Sequence, residues 1–259
     1  MFWRRKRSFS KNFIILGKTE EELCHSPALG CAGLVVSGSN VLVTPKTSAS
    51  AKSKYSLDLV DIGSSVVGAN PNFCNKMAKI ALEKGWVHGV PKFEKTDIKS
   101  EASIDESRFD FKCIQDDITY YIEVKGVPNA CVADVKMSPK KKSKIQVEIN
   151  EAKDKIAYFP DGFRKTPDEA ISPRALKHVE HLTRLATEEN VKCVLLFIVQ
   201  RKDCASFQVT KNDPKYRAAV NRAVERGVAV VAHVVVWEGV QATWGDTLPI
   251  NFKDDADEF

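Results

Sequence analysis

The chain has 259 residues, 43% hydrophobic and 28% charged. That balance fits one large domain or two ordinary ones and argues against a disordered or membrane-embedded polypeptide. The net charge is +5, and removing the terminal acids Asp254, Asp255, Asp257 and Glu258 leaves +9 on residues 1–253. A basic body with an acidic tail suits a polyanion partner or simply a solvated basic protein. Seven cysteines, an odd number with no CxxC pair, argue against a disulfide framework and a zinc cluster.

The first 19 residues carry Arg4, Arg5, Lys6, Arg7, Lys11 and Lys18 and no acid. They lack the apolar core of a secretory signal. An intracellular, cytoplasmic protein is expected, with nucleus or mitochondrion as alternatives. Arg4, Arg5 and Arg7 beside Phe2 and Trp3 fit a backbone-tracking arm for nucleic acid, or a frayed terminus.

Phe13–Leu16, Gly33–Val36, Asn40–Val43 and Tyr55–Val60 are strand candidates. Short strands at close spacing predict a small barrel or sandwich over 1–68, and an OB-like barrel fits. From Asn70 the pattern changes. Asn70-Pro71 opens a helix with the stripe Phe73, Met77, Ile80 and Ala81, and Gly85 closes it. Strands follow at Arg108–Ile114 and Thr119–Lys125. Ser172-Pro173 opens a second helix with Leu176, Val179, Leu182 and Leu185 inward. Lys177, His178, His181 and Arg184 are expected outside that stripe, available to phosphates. Val191–Val199 reads as a buried strand. A third helix starts at Asp213-Pro214, and a last strand spans Val228–Val236. The order is that of an α/β (α+β) domain with a mixed sheet over 69–253. Residues 132–158, rich in lysine, read as an insertion, and 254–259 as an acidic tail.

The segment Ser107–Lys125 carries the chemistry. With Asp116-Asp117 as a two-residue turn, Gln115 pairs with Ile118, and Asp110 falls opposite Glu123. Phe109, Phe111 and Cys113 then share one face, and Asp110 the other. Opposed carboxylates repel. A divalent cation held by both would offset the repulsion, with oxygen donors suited to Mg2+ or Mn2+. Lys125, two residues on, would orient water or stabilise charge on phosphate. A solvent-facing hairpin with scattered charges gives the same pattern without function.

Further residues carry a resemblance. Arg5–Arg7, Cys24-His25-Ser26-Pro27 with Gly30, Gly68-Ala69-Asn70 with Asn75, and Ala81–Gly85 come in order. They continue with Ser107–Phe111, Glu123-Val124-Lys125, Phe159-Pro160-Asp161, Lys177-His178 and Leu195–Arg201. Over nearly its whole length the chain resembles the sugar fermentation stimulation protein A (SfsA) family. The resemblance implies an N-terminal OB-like domain, a C-terminal PD-(D/E)xK nuclease-like domain, and DNA binding with little sequence preference. It sets Asp110 as the first acid, Glu123 and Lys125 as the ExK pair, Glu101 as an upstream metal-binding acid, and Gln200 as a buttress of the catalytic cluster. Lys177, His178 and Arg201 join Arg4, Arg5 and Arg7 as nucleic-acid contacts. The family's His-x-Pro-Asn-Thr-Gly segment is His25-Ser26-Pro27-Ala28-Leu29-Gly30 here, so two polar residues are lost. The expected function is therefore a metal-dependent phosphodiesterase acting on DNA. A non-enzymatic DNA-binding protein with a nuclease-like core is the alternative, and an OB-type RNA-binding protein a third.

Overall fold

The structure, a computed structural model, describes residues 10–14, 21–25, 34–35, 38–48, 51–132, 155–162, 164 and 166–252. Arg4, Arg5, Arg7, most of the lysine-rich stretch and the acidic tail lie outside these residues. The first strands are β1 (Ser10–Ile14), β2 (Glu21–His25), β3 (Asn40–Pro45), β4 (Tyr55–Asp61) and β5 (Val66–Gly68). They form one sheet in the order β1-β2-β4-β3, with β5 paired to β4. Among the described residues this sheet is open, where a barrel was expected. Its core is small: Cys24, Leu34, Leu57, Val60, Val67 and Ala69.

Helix α1 (Asn72–Lys84) begins after Asn70, whose Oδ1 accepts the Asn72 N–H at 3.1 Å. Gly85 ends it in the left-handed region, at φ 70°. Strands β6 (Ile98–Ile104), β7 (Ser107–Gln115) and β8 (Ile118–Val127) follow, then short β9 (Ala130–Cys131) and β10 (Lys155–Phe159). Helix α2 (Pro173–Leu185) is capped by Ser172, whose Oγ accepts from the Ala175 N–H. Then come β11 (Val191–Val199), β12 (Cys204–Val209), α3 (Pro214–Glu225), β13 (Ala229–Glu238), β14 (Gln241–Thr247) and β15 (Ile250–Asn251). Asp213 caps α3 through the Tyr216 N–H and also accepts the Ile171 N–H.

The central sheet has six strands in the order β14-β13-β11-β8-β7-β6. It is mixed: β11 runs parallel to both β8 and β13, and the outer pairings are antiparallel. The unbroken apolar run of β11 is explained by burial on both faces. Cys193, Leu195, Phe197 and Val199 pack toward α2 and α3. Val194, Leu196 and Ile198 pack toward α1. Burying each large aliphatic chain of this layer contributes about 1.5–3 kcal/mol, so the two faces clamp β8 and β11 firmly. A four-stranded sheet, β15-β12-β10-β9, shares the α2–α3 core and was not visible in the sequence pattern. The described cysteines are all free and buried. No described helix is long and apolar enough to cross a membrane.

Candidate active site on the β7–β8 hairpin

The hairpin has the register that its residue pattern predicts. Pairs run from Phe111↔Ile122 to Gln115↔Ile118. Asp116 and Asp117 form the turn with φ 49° and 62°, the left-handed geometry that a two-residue primed turn requires. Short polar side chains such as Asp tolerate that region.

Regular pairing ends at Phe111↔Ile122, one step short of Asp110 and Glu123. The Asp110 carboxylate instead takes two donors. Oδ2 accepts the Val124 backbone N–H and Oδ1 accepts Asn75 Nδ2, both at 2.7 Å. The strand changes sides here. Phe109 packs on the α2 face, with ring centroids 5.8 Å from His178 and 5.2 Å from His181. Phe111 and Cys113 pack on the α1 face. Phe109 and Phe111 therefore do not share a face as strict alternation required. On the neighbouring strand, the pairs Ser100↔Phe111 and Ala102↔Phe109 set Glu101 across from Asp110. Glu101 has φ 54°, an uncommon value for a non-glycine residue inside a strand. Backbone irregularity thus falls on both strands at the acid position.

Helix α1 supplies Asn75 because it lies very close to β8. A Cβ on Gly126 would be 2.6 Å from Cys74 Sγ, so any larger residue there would have to displace the Cys74 side chain or the helix. Beside it opens a cleft of ≈ 590 Å³ whose lining includes Asn72, Asn75, Lys76, Glu101 and Val124.

Glu123 is 3% exposed. Lys125 Nζ and His178 Nδ1 both contact its Oε1, while Oε2 is buried without a hydrogen-bond partner. Burial pushes the Glu123 pKa up, but the His178 hydrogen bond and the Lys125 charge outweigh it, so the group lies below the usual carboxylate range. Asp110 moves the other way. Burial and the Glu123 charge raise its pKa, and the Val124 N–H, Lys125 and Asn75 only partly offset them.

Several expected residues occupy other surroundings. Glu101 lines the cleft, but its carboxylate pairs with Arg108 at 2.8 Å and is half exposed. Among the described residues, no three His, Cys, Asp or Glu side chains form a ready-made metal-binding group. Glu101 is thus not gathered with Asp110 and Glu123 as a third ligand, because the left-handed bend and Arg108 engage it. Gln200 touches neither acid. It is buried between Cys74 Sγ (3.3 Å) and Trp237 Nε1 (3.2 Å), and it braces α1 from behind. Arg201 is wholly buried. Its guanidinium makes two bonds to Asp203, at 2.6 and 2.9 Å, so it is not a surface nucleic-acid contact. His178 and His181 are also buried, because α2 turns both inward around Phe109. Lys177 and Arg184 remain exposed, and each is paired with an acid of the β6–β7 turn, Glu106 or Asp105.

Asn75 and His178 are the site neighbours that charge patterning missed. The signal for His178 lay in helical spacing, since Ala175, His178, Val179 and Leu182 fall on one arc. Asn75 gave no signal beyond its place in the family pattern.

The sheet and its pair of acids, Glu123 buried and Asp110 partly so, define a mixed α/β protein with a polar site on one hairpin beside α1. The model of the "Sugar fermentation stimulation protein RE domain" matches residues 72–240, and the chain belongs to this family. It is 29% identical over 236 residues to a sugar fermentation stimulation protein homolog of Clostridium botulinum, covering 90% of this chain and 87% of that one. A homolog from Nitrosococcus oceani is 27% identical over 253 residues, covering 95% and 94%. Among solved structures, Pyrococcus furiosus SfsA in complex with Ca2+ shares the fold. The TM-score is 0.69 at 20% identity, covering 96% of this chain and 93% of that one.

Proposed function

We propose that the protein hydrolyses phosphodiester bonds of DNA, with little sequence preference, at a divalent-metal site built on Asp110 and Glu123. One observation carries this reading: a buried carboxylate, Glu123, and a partly buried one, Asp110, lie on adjacent strands with one ammonium beside them, Lys125, which pairs with Glu123, and the Asp110 pKa is raised partly by the Glu123 charge. The spot has negative charge in excess, and Glu123 Oε2 is an oxygen with no partner. These hard donors fit Mg2+ or Mn2+. The neighbouring Pyrococcus structure was solved with Ca2+, another cation that takes oxygen ligands. When bound, such an ion supplies Lewis acidity and an activated water.

The chain's own residues do the rest. Asn75 and the Val124 N–H orient Asp110. Lys125 neutralises Glu123 and would stabilise charge on phosphate. Gln200 supports α1 and so holds Asn75 in place. In this reading the N-terminal sheet over 1–68 is an OB-like nucleic-acid platform and 69–253 a PD-(D/E)xK nuclease-like unit. Lys177, exposed on α2, and the basic arm Arg4, Arg5 and Arg7 track the backbone, and RNA is an alternative polymer.

The test is incubation of the full chain with single- and double-stranded DNA and RNA in Mg2+ or Mn2+, beside Asp110→Ala and Glu123→Ala. Cleavage should need metal and fall at least about a hundredfold in each variant. The non-enzymatic DNA-binding reading has one observation in its favour: Lys125 and His178 already occupy Glu123 Oε1. Salt-dependent binding without cleavage in any metal would establish it and sink the hydrolase.

A further inference from the structure

We infer that His178 is a positioning residue of this site, whose Nδ1 hydrogen bond to Glu123 Oε1 fixes the carboxylate and leaves Oε2 as the oxygen that would take the cation. The inference rests on the metal-site reading proposed above and assigns to α2 a part in it.

A histidine on the apolar side of a helix is usually only packed. His178 differs in what it meets. It is 5% exposed, and its Nδ1 contacts a carboxylate oxygen rather than a backbone carbonyl or solvent. An ionised carboxylate has only lone pairs to offer, so Nδ1 must carry the hydrogen. Lys125 binds the same oxygen. Two donors on one oxygen leave the other as the unpartnered acceptor, which is the pattern found at Oε2. The terminal torsion of a glutamate is broad and soft, and Lys125 is a flexible chain from the same strand. The rigid partner is the imidazole. Its backbone belongs to a capped helix, and its ring rests against the Phe109 ring at an interplanar angle of 64°. The side switch at Asp110 is what brings Phe109 there. The distortion at which Asp110 meets Asn75 and the Val124 N–H therefore also supplies the wall that orients His178.

Hydrogen-bond partners of metal-ligating groups set metal affinity, and their loss typically weakens it about 10–100-fold. The experiment is calorimetric titration of the full chain with MnCl2 alone. The proteins are native, His178→Asn, His178→Gln, His178→Leu and Asp110→Ala, each checked for folding by circular dichroism. Asn places an N–H donor where Nδ1 stands, whereas Gln places its amide further out. His178→Leu and His178→Gln should weaken Mn2+ uptake about 10–100-fold, and His178→Asn should restore most of it. Equal affinities for the Asn and Gln variants would overturn the positioning role, even if the Leu variant fails to fold. Native-like uptake by the Leu or Gln variant, with uptake lost in Asp110→Ala, would overturn it while leaving the metal site standing. No uptake by the native chain would remove the metal site and this inference together.

Discussion

Two buried charge clusters use the same residue types with opposite outcomes. Around Asp110 and Glu123, two carboxylates share one lysine. Around Asp203, one carboxylate receives two bonds from Arg201 and one from Lys155 Nζ, at 2.7 Å. Burial pushes the Asp203 pKa up, but Arg201 and Lys155 outweigh it and hold it at about 2. Asp110 stays above its ordinary range. The Asp203 cluster is internally satisfied and ties β10 and the residue run after β11 to Ser64 of the N-terminal sheet. The Asp110 cluster is not satisfied by the protein alone. That difference separates a brace from a candidate site better than burial or charge count does.

The comparison breaks first at the brace. Asp203→Ala leaves two buried cations facing each other and should cost about 3–5 kcal/mol. Urea unfolding would measure it, and a cost below about 1 kcal/mol would mean that the cluster is no brace. Gly126→Ala tests the other cluster through its packing. The new methyl group meets Cys74 Sγ, so the thiol or α1 is displaced, at an expected cost of about 1–3 kcal/mol. If the helix gives way, Asn75 moves with it, and metal-dependent cleavage should fall more than stability alone explains; cleavage that tracks stability would place the adjustment in the Cys74 thiol.

Asp110→Asn sharpens the contrast, because its expected effect on stability is small, within about 1 kcal/mol, and favourable at neutral pH. The sign follows from the raised pKa. Folding favours protonated Asp110, so its contribution is full below the ordinary value of 3.8 and is lost as pH rises through the folded pKa. The gap between variant and native should therefore widen in unfolding curves taken from pH 4 to 7, while cleavage disappears. A loss of stability comparable to that of Asp203→Ala would equate the two clusters.

The smallest effect lies away from both. His233 Nε2 accepts the His88 N–H at 3.0 Å, and Nδ1 donates to the Gly245 carbonyl at 3.2 Å. The ring is held neutral, and burial lowers its pKa below 6.5. Stability from this group is present above pH 6.5 and is lost as pH falls through the lower folded value. Melting curves between pH 7.5 and 5 should show a shallower decline in His233→Gln than in the native chain.

Much of this was legible in the residues. Asp116-Asp117 lacked a glycine, yet both aspartates adopt positive φ, and the register from Gln115↔Ile118 to Phe111↔Ile122 followed from counting, although the pairing stops one step short of Asp110 and Glu123. Ser172-Pro173, Asp213-Pro214 and Gly85 marked helix ends through local chemistry. What stayed hidden depended on tertiary contacts. Strict alternation placed Phe109 beside Phe111, and only the crossing of β7 at Asp110 sends them to opposite faces. Arg201 looked like a surface cation because nothing in the order Arg201-Lys202-Asp203 reveals that its guanidinium folds inward onto Asp203. Strands β9, β10, β12 and β15 are short, and their pairings join distant stretches, so no local pattern announced a second sheet.

The backbone carbonyl of Gln200 accepts the Gly68 N–H at 2.9 Å, its amide holds Cys74 and Trp237, and a Cβ on Gly68 would be 2.1 Å from its Oε1. One residue thus seats the last strand of the N-terminal sheet, the first helix and the β13 strand at one joint. Dense interiors pass displacement on rather than absorb it. Torque applied to the N-terminal sheet would therefore reach the Asn75 amide with little slack along the way.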